Sequence, residues 1–336
     1  MQNGAGIVAR TIREWAGANW IGIALSTTIL VAASIALLVL LRDIEIEKVA
    51  AAIRGTAPRT ILAAAGFVAC GYLTLTCYDF FALRTIGRRD IHYRIAALAS
   101  FTSYAIGHNL GATAITGNLV RYRIYSAHGL SLVEVAKIAF VTGLTFWLGN
   151  AFVLGFGMTL EPAAASAINH APAFLNRAVG CAALIVIVGY LLWLLPRARV
   201  IGRHHWQVTL PSAPLTVVQI AIGVCDLTVV SLAMYVLLPA QPPLAFFPLL
   251  VTFVMATLLG FVSHAPGSIG VFDAAMLIGL PLFEKEQLLA SLLIFRFLYF
   301  VVPLFLAVVA LGVREFCFAF VLRPESPTRD DCDGCI

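Results

Sequence analysis

Residues 95–123 read IAALASFTSYAIGHNLGATAITGNLVRYR, and how this stretch sits among its neighbours decides the fold. It opens apolar and helix-forming, then carries Gly107, His108, Asn109, Gly111, Thr113, Thr116, Gly117 and Asn118 before closing on Arg121 and Arg123. Glycines weaken a helix, and amides and hydroxyls are costly against lipid, so a continuous lipid-facing span is not expected here. Non-helical backbone at membrane depth persists only where it is buried in protein or lines a wet cavity. The stretch is therefore expected to enter and return on one face, as a re-entrant hairpin.

The rest of the chain makes a membrane the setting. Of 336 residues, 61% are hydrophobic and 12% charged, about half the charged share of a soluble domain. Trp15–Leu41, Ile138–Leu160 and Leu227–Phe272 carry no Lys, Arg, Asp or Glu, and each exceeds the roughly 20 residues that cross hydrocarbon. The last is long enough for two crossings, with Pro239, Pro242 and Pro243 between them. The first run is too long for a signal peptide and is read as a membrane helix. Helices are expected near 20–41, 61–83, 95–118, 138–157, 178–195, 215–238, 246–262 and 288–311, with a shorter one at 270–283. The expected fold is an all-α polytopic transmembrane bundle with two re-entrant or broken segments. Residues 1–19 form a cytoplasmic N-terminus, 20–313 the membrane domain and 314–336 a flexible cytoplasmic tail, too short for a catalytic domain.

Charge bookkeeping supports the hairpin. If every segment crossed, most basic residues would lie outside, against the positive-inside rule. With 95–120 returning to its own face, Arg10, Arg13, Arg84, Arg88, Arg89, Arg94, Arg121, Arg123, Lys137, Arg197, Arg199, Arg203, Arg314, Arg323 and Arg329 share the cytoplasmic side. Arg42, Lys48, Arg54, Arg59 and Arg177 stay outside, and 44–54 there can lie on the surface as an amphipathic helix. Both termini are then cytoplasmic. The net charge of +5 belongs to loops facing anionic lipid rather than to a nucleic-acid surface.

A second interruption, Gly260-Phe-Val-Ser-His-Ala-Pro-Gly-Ser-Ile-Gly270, lies in the other half. Pro266 removes a backbone donor while Gly267 and Gly270 permit tight turns. His108-Asn-Leu-Gly111 and His264-Ala-Pro-Gly267 echo each other. Paired interruptions in two halves point to a transporter's midplane site, and half-helix N-termini there suit a phosphate. The plainer reading is two tight-packing kinks. Arg296 sits in the apolar Leu293-Ile-Phe-Arg-Phe-Leu-Tyr-Phe. Unpaired it would cost roughly 3 kcal/mol, so Asp226 or Asp273 is expected beside it, either as a structural pair or with Arg296 as a head-group cation. Arg121 and Arg123 suit phosphate capture, His108 and His264 are proton-responsive or simply buried, and Asp79 is expected to pair with Arg84. No nucleotide loop, hydrolase triad or metal cluster is recognisable, so neither an enzyme nor a cofactor is expected. Cys332 and Cys335 lack a second pair for zinc.

At both breaks the chain resembles the transmembrane flippase domain of the bacterial lysylphosphatidylglycerol synthase/flippase family. Ser103-Tyr-Ala-Ile-Gly-His-Asn-Leu-Gly-Ala, Thr116-Gly-Asn-Leu-Val-Arg-Tyr-Arg-Ile-Tyr125, Gly129-Leu-Ser131 and Ser263-His-Ala-Pro-Gly-Ser-Ile-Gly-Val-Phe-Asp273 carry the likeness, which spans about residues 20–315. The family commonly has Gly-Gly where Thr116-Gly117 stands and Pro-Gly-Gly where Pro266-Gly267-Ser268 stands, which bears on substrate identity. Its two-domain members add a soluble aminoacyl-transferring domain, which this sequence does not contain. The resemblance implies a bacterial inner-membrane protein that moves a phospholipid, anionic or aminoacylated, between leaflets. His108, Asn109, Gly117, Arg121, Arg123, Asp226, His264, Pro266, Gly267, Gly270, Asp273 and Arg296 would line the route. A non-transporting partner of a separately encoded lipid-synthesis enzyme, a membrane-embedded lipid enzyme, and a homo-oligomer are the alternatives.

Overall fold

The computed structural model describes residues 42, 44–111, 113–195, 199–203 and 206–320. The expected first span at 20–41, the N-terminus before it and the tail beyond 320 lie outside the described residues.

The chain forms an all-α helix bundle. Helix α1 (Ile46–Gly55) is amphipathic and surface-lying, and α2 (Pro58–Thr85) starts with proline at a position that needs no N–H. The hairpin follows as α3 (Tyr93–Leu110) and α4 (Thr113–Tyr125). Then come α5 (Leu132–Leu160), a short α6 (Pro162–Asn169) and α7 (Ala173–Leu194). Strands β1 (Val200–Arg203) and β2 (Trp206–Thr209) pair antiparallel, with Val200 opposite Thr209. Next are α8 (Ala213–Leu237), α9 (Phe246–Ser263) and α10 (Val271–Gly279). The last span is α11 (Lys285–Arg296), a π-helical turn (Phe297–Val301) and α12 (Val302–Phe320). Six described helical stretches are long and apolar enough to cross a membrane, which makes this an integral, multi-pass membrane protein.

Three features differ from expectation. Residues 162–169 and the 200–209 hairpin are regular where connections were expected. The helix near 288–311 runs unbroken but carries a π turn. The same helix runs on to Phe320, past the tail boundary at 314, because no helix-breaker intervenes before Pro324.

Named contacts fix the directions. Gly71 of α2 faces Val230 of α8 and Tyr78 faces Asp226, so these helices run antiparallel. Gln219 of α8 donates to Val141 O and Thr145 Oγ1 of α5, and Gly149 faces Gly223. These two helices are therefore parallel. A Cβ on Gly149 would come 2.7 Å from Gly223 Cα, the small-residue approach by which membrane helices pack without a hydrophobic driving force.

One face of the molecule gathers the end of α2, both ends of the α3–α4 hairpin and the start of α5. Arg88 bonds Glu134 at 2.8 Å and Asp90 at 2.9 Å, which clamps the hairpin's base and holds the Asp90 carboxyl below the usual carboxylate range. Arg123 reaches Glu315 of α12 there at 2.8 Å. The opposite face holds α1 packed on α11, and Ser291 bonded to Leu237 O at 2.6 Å. Gly279, at the end of α10, lies against Thr252 of α9 and Ile168 of α6 near that second face. Thus α9–α10 is itself a hairpin, and it enters from the face opposite to α3–α4. The order crossing helix, hairpin, crossing helix occurs twice in inverted sense: α2, α3–α4, α5, and then α8, α9–α10, α11–α12.

Candidate functional site

The two hairpins meet tip to tip. Gly111, with φ 72°, closes α3, and a Cβ there would lie 2.8 Å from His264 O and 3.2 Å from Pro266 Cα. Only a glycine admits both the positive φ and that approach. Asn109, two residues before the tip, donates to Phe300 O at 3.0 Å, and Tyr72 donates to Tyr299 O at 3.0 Å. Tyr72 lies near the middle of the 28-residue α2, so the tips meet near half depth.

The π turn explains why those carbonyls are available. Pro303 lacks the N–H that an α-helix would offer to Tyr299 O. The turn widens there, and the hydroxyl of Tyr72 and the amide of Asn109 take up the exposed oxygens. Asn109 is held in place by a second bond, to Ala105 O at 2.7 Å.

Beneath the second tip lies Arg296, the residue before the π turn. It forms a two-pronged pair with Asp273, with Nε and Nη2 each 2.7 Å from a carboxylate oxygen. It also donates to Gly267 O at 2.8 Å and Ser268 O at 3.2 Å. Asp273 in turn accepts from Gly270 N at 3.1 Å. His264, Gly267, Ser268 and Gly270 all have positive φ, which turns successive carbonyls toward the guanidinium. One cation thereby fixes the whole 264–273 turn. The pair is not sealed: side-chain exposure is 15% for Arg296 and 10% for Asp273.

A second pair lies within the first hairpin. Arg121 bonds Asp79 through Nε at 3.0 Å and Nη2 at 2.9 Å, donates from Nη1 to Asn118 Oδ1 at 3.1 Å, and lies on the Tyr104 ring. Tyr125 donates to the same carboxylate at 2.9 Å. The expected Asp79–Arg84 pair is thus corrected. Five positions turn a helix about 140°, so Asp79 faces the core while Arg84 faces outward over the Phe80 ring.

The sequence-expected residues therefore divide. Asn109, His264, Pro266, Gly267, Gly270, Asp273 and Arg296 come together at or beneath the tips. His108 joins them, its ring stacked on Tyr299 at 6.0 Å and tilted on Tyr104 at 5.6 Å. Gly117 lies down the hairpin against Ser103 O, Arg121 is closed in by Asp79, and Arg123 sits at the face. Asp226 lies across α8, under the Tyr78 hydroxyl at 3.2 Å, and is not the partner of Arg296. Tyr72, Tyr104, Tyr299 and Pro303 were not anticipated. Pro303 was the available signal, since a proline late in an apolar span orphans a carbonyl one turn back. Beside the site, between α2, α3 and the π turn, runs a lateral groove of about 460 Å³ lined by Val68, Tyr72, Phe101, Leu298, Pro303 and Leu306.

No protein-family model matches the chain. It is 28% identical to the uncharacterized protein slr0712 of Synechocystis sp. over 270 residues, covering 80% of this chain and 84% of that one. Inner membrane protein YbhN of Escherichia coli is 28% identical over 292 residues, 85% of this chain and 89% of its own. Phosphatidylglycerol lysyltransferase of Staphylococcus haemolyticus is 39% identical over 75 residues, which is 22% of this chain and 9% of that protein.

Proposed function

We propose that this protein moves a phospholipid between the leaflets of a bacterial inner membrane, its head group passing where the two hairpin tips meet. The observation that carries the reading is the apposition of hairpins from opposite faces over a partly open Arg296–Asp273 pair. A head group needs polar partners across hydrocarbon, and interrupted helices at half depth are where membrane proteins supply them. A head group that parts the pair would give its phosphate to the fork of Arg296 and its amine to Asp273, so a zwitterionic or aminoacylated head group suits the pair better than a purely anionic one. The acyl chains would remain in the lateral groove beside Tyr72 or in bulk lipid. The partial likeness to phosphatidylglycerol lysyltransferases supports a lipid substrate, and that to YbhN supports the inner membrane. The face bearing Arg84, Arg88, Arg89, Arg94, Arg123 and Arg314 is assigned to the cytoplasm by the positive-inside rule.

The test is reconstitution in liposomes with a fluorescent phospholipid, its outer-leaflet label quenched chemically. Rapid loss of the inner-leaflet signal is expected for the natural chain and a large fall for Arg296→Lys, which keeps the charge but loses the fork. Scrambling no faster than in protein-free liposomes would overturn the reading and favour a partner of a lipid-modifying enzyme.

A further inference from the structure

Among the described residues, Asp226 is the interior carboxylate that neither ion pair uses. It lies within α8 with 7% of its surface exposed. One oxygen accepts from Tyr78 at 3.2 Å, while Oδ1 is sealed from solvent with no hydrogen-bond partner. From α2 it is faced by Tyr78, whose neighbour Asp79 is held by Arg121; from α3, through the Tyr78 ring, it is faced by Tyr104. Tyr72 and Tyr299 lie beyond these. The faces that α5 and α9 turn to α8 carry Thr145, Gly149 and apolar groups, with no Lys, Arg, Asp or Glu in α9. The interior charge of α11 is Arg296, taken by Asp273, and Arg177 of α7 donates to Thr159 O near the second face. No described cation balances Asp226.

A carboxylate at membrane depth needs a counter-charge or a proton. We propose that Asp226 is a proton-exchange site: it holds a proton in the closed arrangement seen here and releases it when water reaches α8. The step forms and breaks only one O–H bond, with the proton drawn from water on one face and returned to water on the other. A relay is at hand. The rings of Tyr78 and Tyr104 are 6.1 Å apart and those of Tyr104 and His108 5.6 Å. His108 Nδ1 and the hydroxyls of Ser103 and Ser231 are likewise buried without partners. These packing contacts connect the surroundings of Asp226 to the meeting point of the hairpins, so proton exchange would be coupled to the passage there. That coupling rests on the translocation reading, whereas the proton site does not.

The experiment uses the full chain in liposomes of phosphatidylethanolamine and phosphatidylglycerol, with a trapped pH-sensitive dye and an imposed pH gradient. Lipid movement is followed in the same preparation, and the infrared carboxyl band is followed on titration. The natural chain is expected to move protons and to show a protonated-carboxyl band. Asp226→Asn should lose the band and reduce proton movement to that of empty liposomes, while Asp226→Glu keeps both. Should the Asn variant not fold, the natural chain and the Glu variant suffice, because the acidic band must shift between them. Loss of lipid movement with the band intact would sink the translocation reading and leave the proton site standing. An Asn variant with unchanged proton movement, or no titrating band in the natural chain, would overturn the site.

Discussion

At the scale of single residues, the interior is governed by how two arginines are neutralised. Arg121 is 5% exposed and Asp79 0%, so removing one partner strands the other in a medium that cannot solvate it. Asp79→Asn is expected to cost about 3–5 kcal/mol, whereas a double change of Asp79 and Arg121 to apolar residues of similar volume should cost less. Thermal unfolding in detergent, compared between the single and double variants, checks the order; a double variant weaker than the single one would refute it. Asn109→Ala removes the donors to Phe300 O and Ala105 O and should cost about 1–3 kcal/mol in the same assay. The importance of Arg296 was legible in the sequence, because a charge amid Leu293–Phe300 has to be answered. Asp79 was misjudged because nearness along the chain was taken for nearness in space. Its true partner lies on another helix, 42 positions away.

Among the elements, the tips carry the information. Both breaks could be located from glycine, proline and histidine in apolar surroundings, since those residues conflict with a lipid-facing helix wherever they occur. That the breaks touch could not, because sequence spacing does not say how two hairpins approach. Gly111→Ala tests the contact. Added to the strain of a positive φ, roughly 1–3 kcal/mol, the new methyl meets His264 O at 2.8 Å. The hairpins should be forced apart, with lipid movement slowed and resistance to proteolysis at 111–113 reduced. Gly55→Ala, with nothing within 4 Å of its Cβ, is the control and should behave like the natural chain. Equal behaviour of the two variants would mean that the tips do not meet in the membrane.

For the whole molecule, the testable claim is which loops share a face. Single cysteines at Arg89 and Ser126 should react with a membrane-impermeant thiol reagent from one side only, and cysteines at Ala240 and Glu284 only from the other. The seven native cysteines are first replaced. Labelling of Arg89→Cys and Ser126→Cys from opposite sides would show that 93–125 crosses. The rough position of the described spans was readable from hydropathy, and the first hairpin from the balance of basic loops. The second hairpin was visible only as a break, because its flanks carry a single basic residue, Lys285, between two glutamates, too little to betray a return. The inverted order of the two halves has a kinetic corollary. A molecule open to one side and a molecule open to the other differ chiefly in which half adopts which shape, so the two should lie close in energy. On the translocation reading such a device would have no built-in arrow: it would work as a turnstile, with the side on which cargo accumulates set by the gradients supplied to it.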